Sequence, residues 1–278
     1  MAEPTRASPP SFGHLLRAWR GTRRRSQLEL ALDAAVSQRH LSFLESGRAR
    51  PSREMVLALS EALDVPLRER NTLLTAAGFA PCFPQRALDA GGMEAAHAAL
   101  TRILDHHDPF PAVVIDRNYD LLMANRAFDG LVGLFGDADA VWQACCPDGP
   151  RNLLRLTFAA NGARPYIRNF EVIAPALIAR SLREAAVRGG PVPAVLEALR
   201  DDPTIPGNWY TPPPDYAPLP VLPLVLGQSD VEISLFSLIA TFGTPADVTT
   251  DEIRVESFFP ADPASERYLR SLADARGA

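Results

Sequence analysis

From Ser11 onward the apolar positions Phe12, Leu15, Leu16 and Trp19 recur at helical spacing, behind a serine able to cap the helix start. Ser26, with Glu29 three residues on, has the form of a capping box opening a second helix to about Ala34. Ser37 opens a third, short helix from Gln38 to Glu45, stopped by Gly47, in which Leu41 and Leu44 face inward. Pro51 and Ser52 announce a fourth, Arg53 to Leu63, with Met55, Leu59, Ala62 and Leu63 inward. Pro66 opens a fifth, Leu67 to Ala77, ended by Gly78. The pattern therefore predicts a small all-helical domain over residues 11–80, preceded by a polar, proline-containing tail over 1–10 that is expected to be disordered.

Pro81, Pro84, Gly91 and Gly92 bracket a linker over 81–92. Beyond it the period becomes mixed, and 93–262 is expected to form one longer domain of helices and strands, with a terminal helix or tail over 263–278. Helix is predicted over 94–104, 126–134, 151–160, 166–188 and 193–199, and strand over 112–115, 120–124, 231–242 and 252–258. Residues 201–223 hold eight prolines and are expected to be irregular, and the segment 243–251 joins the last two strands as a hairpin connection. In the last strand Ile253 and Val255 alternate with Glu252, Arg254 and Glu256, which predicts one buried and one solvated face.

Charge sharpens this division. Every basic residue is arginine; residues 1–80 hold 12 Arg against 8 Asp plus Glu, a net of +4, whereas 81–278 hold 16 Arg against 25 Asp plus Glu, a net of −9. A basic head on an acidic body is suited to meeting a polyanion with the head alone. The N-terminus has no charged start followed by an apolar run, so no secretory signal is expected, and no stretch approaches the ~18 apolar residues of a membrane span. A cytoplasmic protein without membrane contact is expected. Cys82, Cys145 and Cys146 form no metal-ligand spacing and are best read as small apolar filler.

The segment 26–52, SQLELALDAAVSQRHLSFLESGRARPS, carries the candidate chemistry. Two helices joined by a tight turn, the second short, describe a helix-turn-helix, whose second helix lies in the major groove. Gln38 and Arg39 at its start and Ser42 one turn on are the candidate base-contacting residues, since glutamine pairs bidentately with adenine and arginine with guanine. Gln27 at the preceding helix start, Arg24 and Arg25 before it, and Arg48 and Arg50 in the following loop are candidates for phosphate contact. The Ser-Gln helix start, Val-Ser-Gln opening the reading helix, LSFLESGRARPS after it and the apolar fourth helix resemble the lambda-repressor-like, or Xre-type, family over about residues 12–78. One departure is Ala35, at the turn position where such domains often carry Gly or Asn; either it adopts positive φ or the turn is shifted by a residue. The resemblance implies a five-helix DNA-binding domain that works as a two-fold homodimer on double-stranded DNA.

In the second domain PAVVIDRNYDLLMANRAFDGL resembles the opening hairpin of a PAS-type sensor. With RNLLRLTF, the long helix around Val172 and SLFSLIATFGTPADVTTDEIRVESFFPAD, the order of pieces resembles the MmyB-like ligand-binding domain over roughly 93–262. That implies a PAS-like α/β fold with a small antiparallel sheet, flanking helices and an apolar pocket for a fatty-acid-like ligand. The residues themselves say only that aromatic and aliphatic side chains are available. Trp142, Phe158, Tyr166, Phe170, Trp209 and Phe236 are candidates for the wall, Asn125 holds the strand-to-helix corner, and Arg151 with Asn152 at a helix start would suit a carboxylate.

No catalytic set emerges. GQSD at Gly227 lacks the second glycine of a nucleophile elbow, and the consecutive His106, His107 and Asp108 cannot share one helix face. No cofactor is expected. The expected function is therefore a ligand-responsive, dimeric DNA-binding regulator and not an enzyme; the alternative is a DNA-binding regulator whose second domain serves only dimerisation or a protein partner.

Overall fold

The computed structural model describes residues 10–189, 192–210, 221, 223–228 and 231–277. The expected N-terminal tail falls outside them except for Pro10, as does much of the proline-rich stretch. The chain forms two compact units; the first runs through Gln85 and takes in two short later segments, and the second holds the remainder.

The first unit contains α1 (Phe12–Thr22), α2 (Gln27–Asp33), α3 (Gln38–Glu45), α4 (Arg53–Ala62) and α5 (Leu67–Ala76). Serine starts four of them: Ser11, Ser26, Ser37 and Ser52 accept from the backbone N–H of His14, Glu29, His40 and Met55. Each such cap contributes about 1 kcal/mol. The Glu29 carboxylate returns the favour to the Ser26 N–H at 2.7 Å, completing the capping box. Leu16, Leu30, Leu41, Leu44, Val56 and Leu59 meet in one dry core. α1 rides directly on the end of α3: a Cβ on Gly13 would lie 2.5 Å from the Leu44 carbonyl, so only glycine fits there.

The second unit contains α6 (Glu94–His107), β1 (Ala112–Ile115), β2 (Leu121–Ala124), α7 (Arg126–Val132), α8 (Ala138–Cys145), α9 (Leu153–Phe158), most of α10 (Phe170–Arg188), α11 (Ala194–Arg200), β3 (Leu224–Gln228), β4 (Val231–Ala240), β5 (Arg254–Pro260) and α13 (Pro263–Gly277), while α12 (Val248–Glu252) falls, but for its last residue, in a later segment of the first. The strands form one antiparallel sheet in the order β2-β1-β5-β4-β3. α6 covers one face, packing Leu100 and Leu104 on Ala112, Val114, Ile253 and Val255. The other face, with Val113, Ile115, Ile233 and Leu235, meets the layer of α7 to α10.

Three elements escape the sequence pattern. β3 follows directly on the prolines, and it is held by a ladder from Leu224↔Leu235 to Gln228↔Val231 rather than by its own propensity. α8 is opened by Asp137, whose carboxylate accepts from the Ala140 N–H, and it buries Val141, Trp142 and Cys145. α12 occupies part of the expected connection at 243–251, while β4 and β5 still pair antiparallel around it. The expectation of a solvated face on β5 is corrected: Arg254 is 3% and Glu256 4% exposed, as buried as Val255 at 4%. β5 lies between β1 and β4 with helices over both faces, so its polar residues point into the protein.

Candidate nucleic-acid interface and ligand cavity

The turn between α2 and α3 is closed by the Val36 N–H donating to the Ala31 carbonyl at 2.8 Å. Ala35 sits there at φ 54°, the left-handed conformation, so the turn is not shifted. A side chain costs about 1–2 kcal/mol in that conformation, part of which glycine loses again through its unfolded-state entropy. Ala35→Gly should therefore stabilise the first unit by about 0.5–1 kcal/mol, read as a higher urea midpoint. A lower midpoint would show that the alanine is not strained.

α3 presents two unlike faces. Leu41 and Leu44 are buried, while Gln38 and Arg39 are exposed and Ser42 is half-buried beside them. The Arg39 guanidinium lies 5.4 Å from the Phe43 ring centre, a stacking contact that pre-orients it. Arg48 and Arg50 are exposed in the loop after α3, and their guanidinium groups make no hydrogen bond or ion pair among the described residues. Arg24 is exposed at φ 52°, and exposed Arg25 pairs with Asp33 at 2.7 Å.

Behind α3 stands a brace that the sequence does not announce. The Glu45 side chain is fully buried and accepts from Arg20 at 2.6 and 3.0 Å, from Arg17 at 3.4 Å and from Gln27 at 2.8 Å. It thereby ties the end of α3 to α1 and α2. Burial alone would raise the Glu45 carboxyl, but the donors Arg20, Gln27 and Arg17 outweigh it and hold it below the usual range. Gln27 is thus engaged inside the fold through its amide, which leaves its backbone N–H at the start of α2 as its route to a phosphate. Arg23, from the same basic cluster, also turns inward and donates to the carbonyls of Leu63 and Asp64. The only sequence signal for Glu45 is its place next to Leu44 and one turn from Leu41, on the apolar side of α3.

The second unit encloses a cavity of about 680 Å³ between the sheet and α10. Its wall is largely aliphatic, including Leu131, Leu156, Ile167, Ile173, Leu226 and Leu235. Such a volume and lining suit a small apolar ligand. Polar groups gather at one place: the Arg180 guanidinium pairs with Glu256 at 3.4 Å, and the Ser237 hydroxyl donates to the same carboxylate oxygen at 2.7 Å. Tyr119 lies beneath, with Arg180 at 5.8 Å and Arg254 at 4.5 Å from its ring centre and its hydroxyl accepting from Ser181.

Of the ligand residues expected from sequence, Phe236 lines this cavity and the other eight lie off its wall. Asn125 uses all four of its hydrogen-bonding positions internally: it accepts from Ala112 and Phe128 N–H and donates to the Leu104 and Phe110 carbonyls. Asn152 does the same between Leu154, Arg155, Asn118 and Asp120. Arg151 is half-exposed on the outer surface, pairs with Asp139 at 2.8 Å and covers Trp142. Phe158, Phe170 and Trp209 form an edge-to-face chain that fills the core behind the wall. Tyr166 donates its hydroxyl to the Phe135 carbonyl. The aromatics went astray because helix periodicity marks a buried side and does not tell a packed core from a hollow one.

The thiols of Cys145 and Cys146 lie 3.7 Å apart in that core, and burial, with the neighbouring sulfur, pushes Cys145 up to about 12. A thiol so protonated behaves as filler. Among the described residues no group of three or more His, Cys, Asp or Glu could hold a metal, and no helix is long and apolar enough to cross a membrane.

Comparison with protein families matches residues 16–70 to the family described as "Helix-turn-helix" and residues 96–272 to the one described as "MmyB-like transcription regulator ligand binding domain". No curated protein matches the chain. Among solved structures the "Structure of an RNA-binding Light-Oxygen-Voltage Receptor" is similar at 13% identity, covering 98% of this chain and 63% of that one, with a TM-score of 0.26. The chain thus spans less than two thirds of that protein, and nothing about it follows from so low a score.

Proposed function

We propose, for a chain that belongs to the family of the MmyB-like transcription regulator ligand binding domain and carries a helix-turn-helix before it, a homodimeric regulator whose DNA binding is controlled by a fatty-acid-like ligand. DNA-binding transcription regulation with a ligand-binding domain is what the two families share out between the halves of the chain. The finer reading rests on the cavity: about 680 Å³ walled by aliphatic side chains is more than a dimerisation module needs. A cytoplasmic site of action accords with contact to an operator. Ligand control requires that the two arrangements of the dimer on DNA bind the ligand with different affinity.

In this reading Gln38, Arg39 and Ser42 meet base edges, and Arg24, Arg25, Arg48 and Arg50 meet phosphates, with Gln27 contributing its helix-start N–H. Native mass spectrometry of the purified protein tests the ligand: an acyl chain should leave with the protein, and a protein that never carries one favours the partner-module alternative. Two substitutions test the DNA face. Arg39→Ala should weaken operator binding by about 1–3 kcal/mol and relax preference at one base position, whereas Arg50→Ala should lower affinity for all sequences and flatten the salt dependence. Equal loss across sequences for the first, or an unchanged salt slope for the second, would reject the respective role.

A further inference from the structure

Away from the cavity the second unit holds two thiols, those of Cys145 and Cys146, that neither DNA binding nor the cavity uses. Cys145 ends α8 and Cys146 follows as its cap residue. Successive side chains on a regular helix point about 100° apart. Here the chain leaves the helix at Cys146, with φ −134° and ψ 59°, and the two sulfurs come to lie 3.7 Å apart, in van der Waals contact. One acceptor anchors both residues: the Trp142 carbonyl takes the Cys145 thiol at 3.8 Å and the Cys146 N–H at 2.8 Å. The cysteines themselves are buried, but Gln143, Ala144 and Pro147 to Pro150 on either side of them are exposed, so the pair lies just beneath the surface.

What a pair of this geometry can hold is narrow. Adjacent Cα atoms stand about 3.8 Å apart across a trans peptide, less than the roughly 4.4–6.8 Å that an unstrained disulfide spans. Closing the sulfurs onto one another therefore strains the chain, whereas a single atom set between them spares it that closure. A structural zinc ion takes four protein ligands, and among the described residues no third His, Cys, Asp or Glu joins these two in a group that could hold a metal. The occupant must prefer sulfur, be satisfied by two thiols and bring its remaining ligand with it. Burial adds a condition of charge. The Cys145 thiol is pushed up to about 12, so reactions that need a thiolate are closed to it. An ionic product would also be penalised there.

We infer that Cys145 and Cys146 form a chelating site for a trivalent, thiophilic metalloid hydroxide such as arsenous acid. Two arsenic–oxygen bonds break and two arsenic–sulfur bonds form. Each thiol proton leaves on a departing hydroxide as water, and the third hydroxyl stays on arsenic. Arsenic remains trivalent and no electron is transferred. Reactants and product are all neutral, so the buried site never carries a charge, and the protonation that disarms the pair as nucleophiles does not oppose the condensation.

The test adds arsenite to the reduced full-length protein at neutral pH and follows it by native mass spectrometry. The wild-type chain should take up one arsenic with loss of two waters, keep it against excess mercaptoethanol and surrender it to dimercaptopropanol. Cys145→Ala and Cys146→Ala should each weaken retention about a hundredfold, since one thiol is left where two were linked. Cys82→Ala should retain arsenic like the wild type. Arsenic X-ray absorption on the wild-type protein gives an answer that needs no substitution in the core: two sulfur neighbours and one oxygen are expected. The inference is overturned if the native wild-type protein retains no arsenic or takes it up only in urea. It is equally overturned if retention survives in Cys145→Ala or Cys146→Ala, if Cys82→Ala abolishes it, or if absorption shows a single sulfur neighbour.

Discussion

Glu45→Ala should destabilise the DNA-binding unit by about 3–5 kcal/mol, because it removes a buried anion and leaves the Arg20 guanidinium without the carboxylate it was folded around. Three side chains from α1 and α2 converge on this carboxylate, so its loss frees the end of α3 from both neighbours. A cost of that size is a large share of the stability of a small domain. Hydrogen exchange of the α3 amides is the direct measurement; full protection in the variant would mean that Leu41 and Leu44 hold the helix unaided. The same brace gives a pH dependence. The folded carboxyl lies below its ordinary value, so the stabilisation is complete above that ordinary value and is lost as pH falls through the lowered one. The stability of α3 should therefore fall in acid in the native protein, and this part of the acid response should vanish in Glu45→Ala.

The second large effect is expected at Asn125, in the ligand-binding unit. Asn125→Ala removes the cap of α7, leaving the Phe128 N–H only the residue-125 carbonyl at 3.1 Å, and strands the Ala112 N–H with the carbonyls of Leu104 and Phe110. An unsatisfied buried polar group costs about 1–3 kcal/mol, and a lost cap about 1, so a total of about 3 kcal/mol or more is expected even if water recovers some bonds. Because Asn125 lies off the cavity wall, the affinity of the folded fraction for an environment-sensitive apolar dye should not change. A variant that folds normally but loses the dye would restore Asn125 to the ligand site and refute its structural role. Urea unfolding followed by dye titration below the transition separates the two outcomes.

The contrast between these residues follows what the chain pattern encodes. Four serine caps and the inward leucines of the first unit are local: cap, helix and stop lie within about a dozen residues of one another, and the expected helices match α1 to α5 to within a residue or so at their ends. The exposed Arg39 follows from the same arithmetic, since it lies across the helix from Leu41 and Leu44, whereas Gln38, three residues before Leu41, is exposed as the first residue of α3. Arg20 and Gln27 lie 25 and 18 residues before Glu45, and no period connects them to it.

The second unit shows the opposite balance. Its strand-turn-strand-helix opening was legible, because Asn125 caps locally and β1 and β2 pair through a short turn. β3 was not, since it is a strand only by virtue of the ladder that β4 supplies. Aromatic content suggested a pocket at Trp142, Phe158 and Phe170, yet these close-packed rings are where space is filled, and the hollow lies between α10 and the sheet.

Sequence alone determined the helical head, the outward face of its third helix, the division of charge between the halves and the mixed character of the body, because each of these is written in neighbours a few positions apart. Only the tertiary structure decided that Arg254 and Glu256, alternating along β5 like a solvated face, point inward, and that Arg180 meets Glu256 across 76 residues of chain. The physical reason is that alternation gives a strand two faces without naming what covers them; here both are covered, and one of them holds the cavity and its charges.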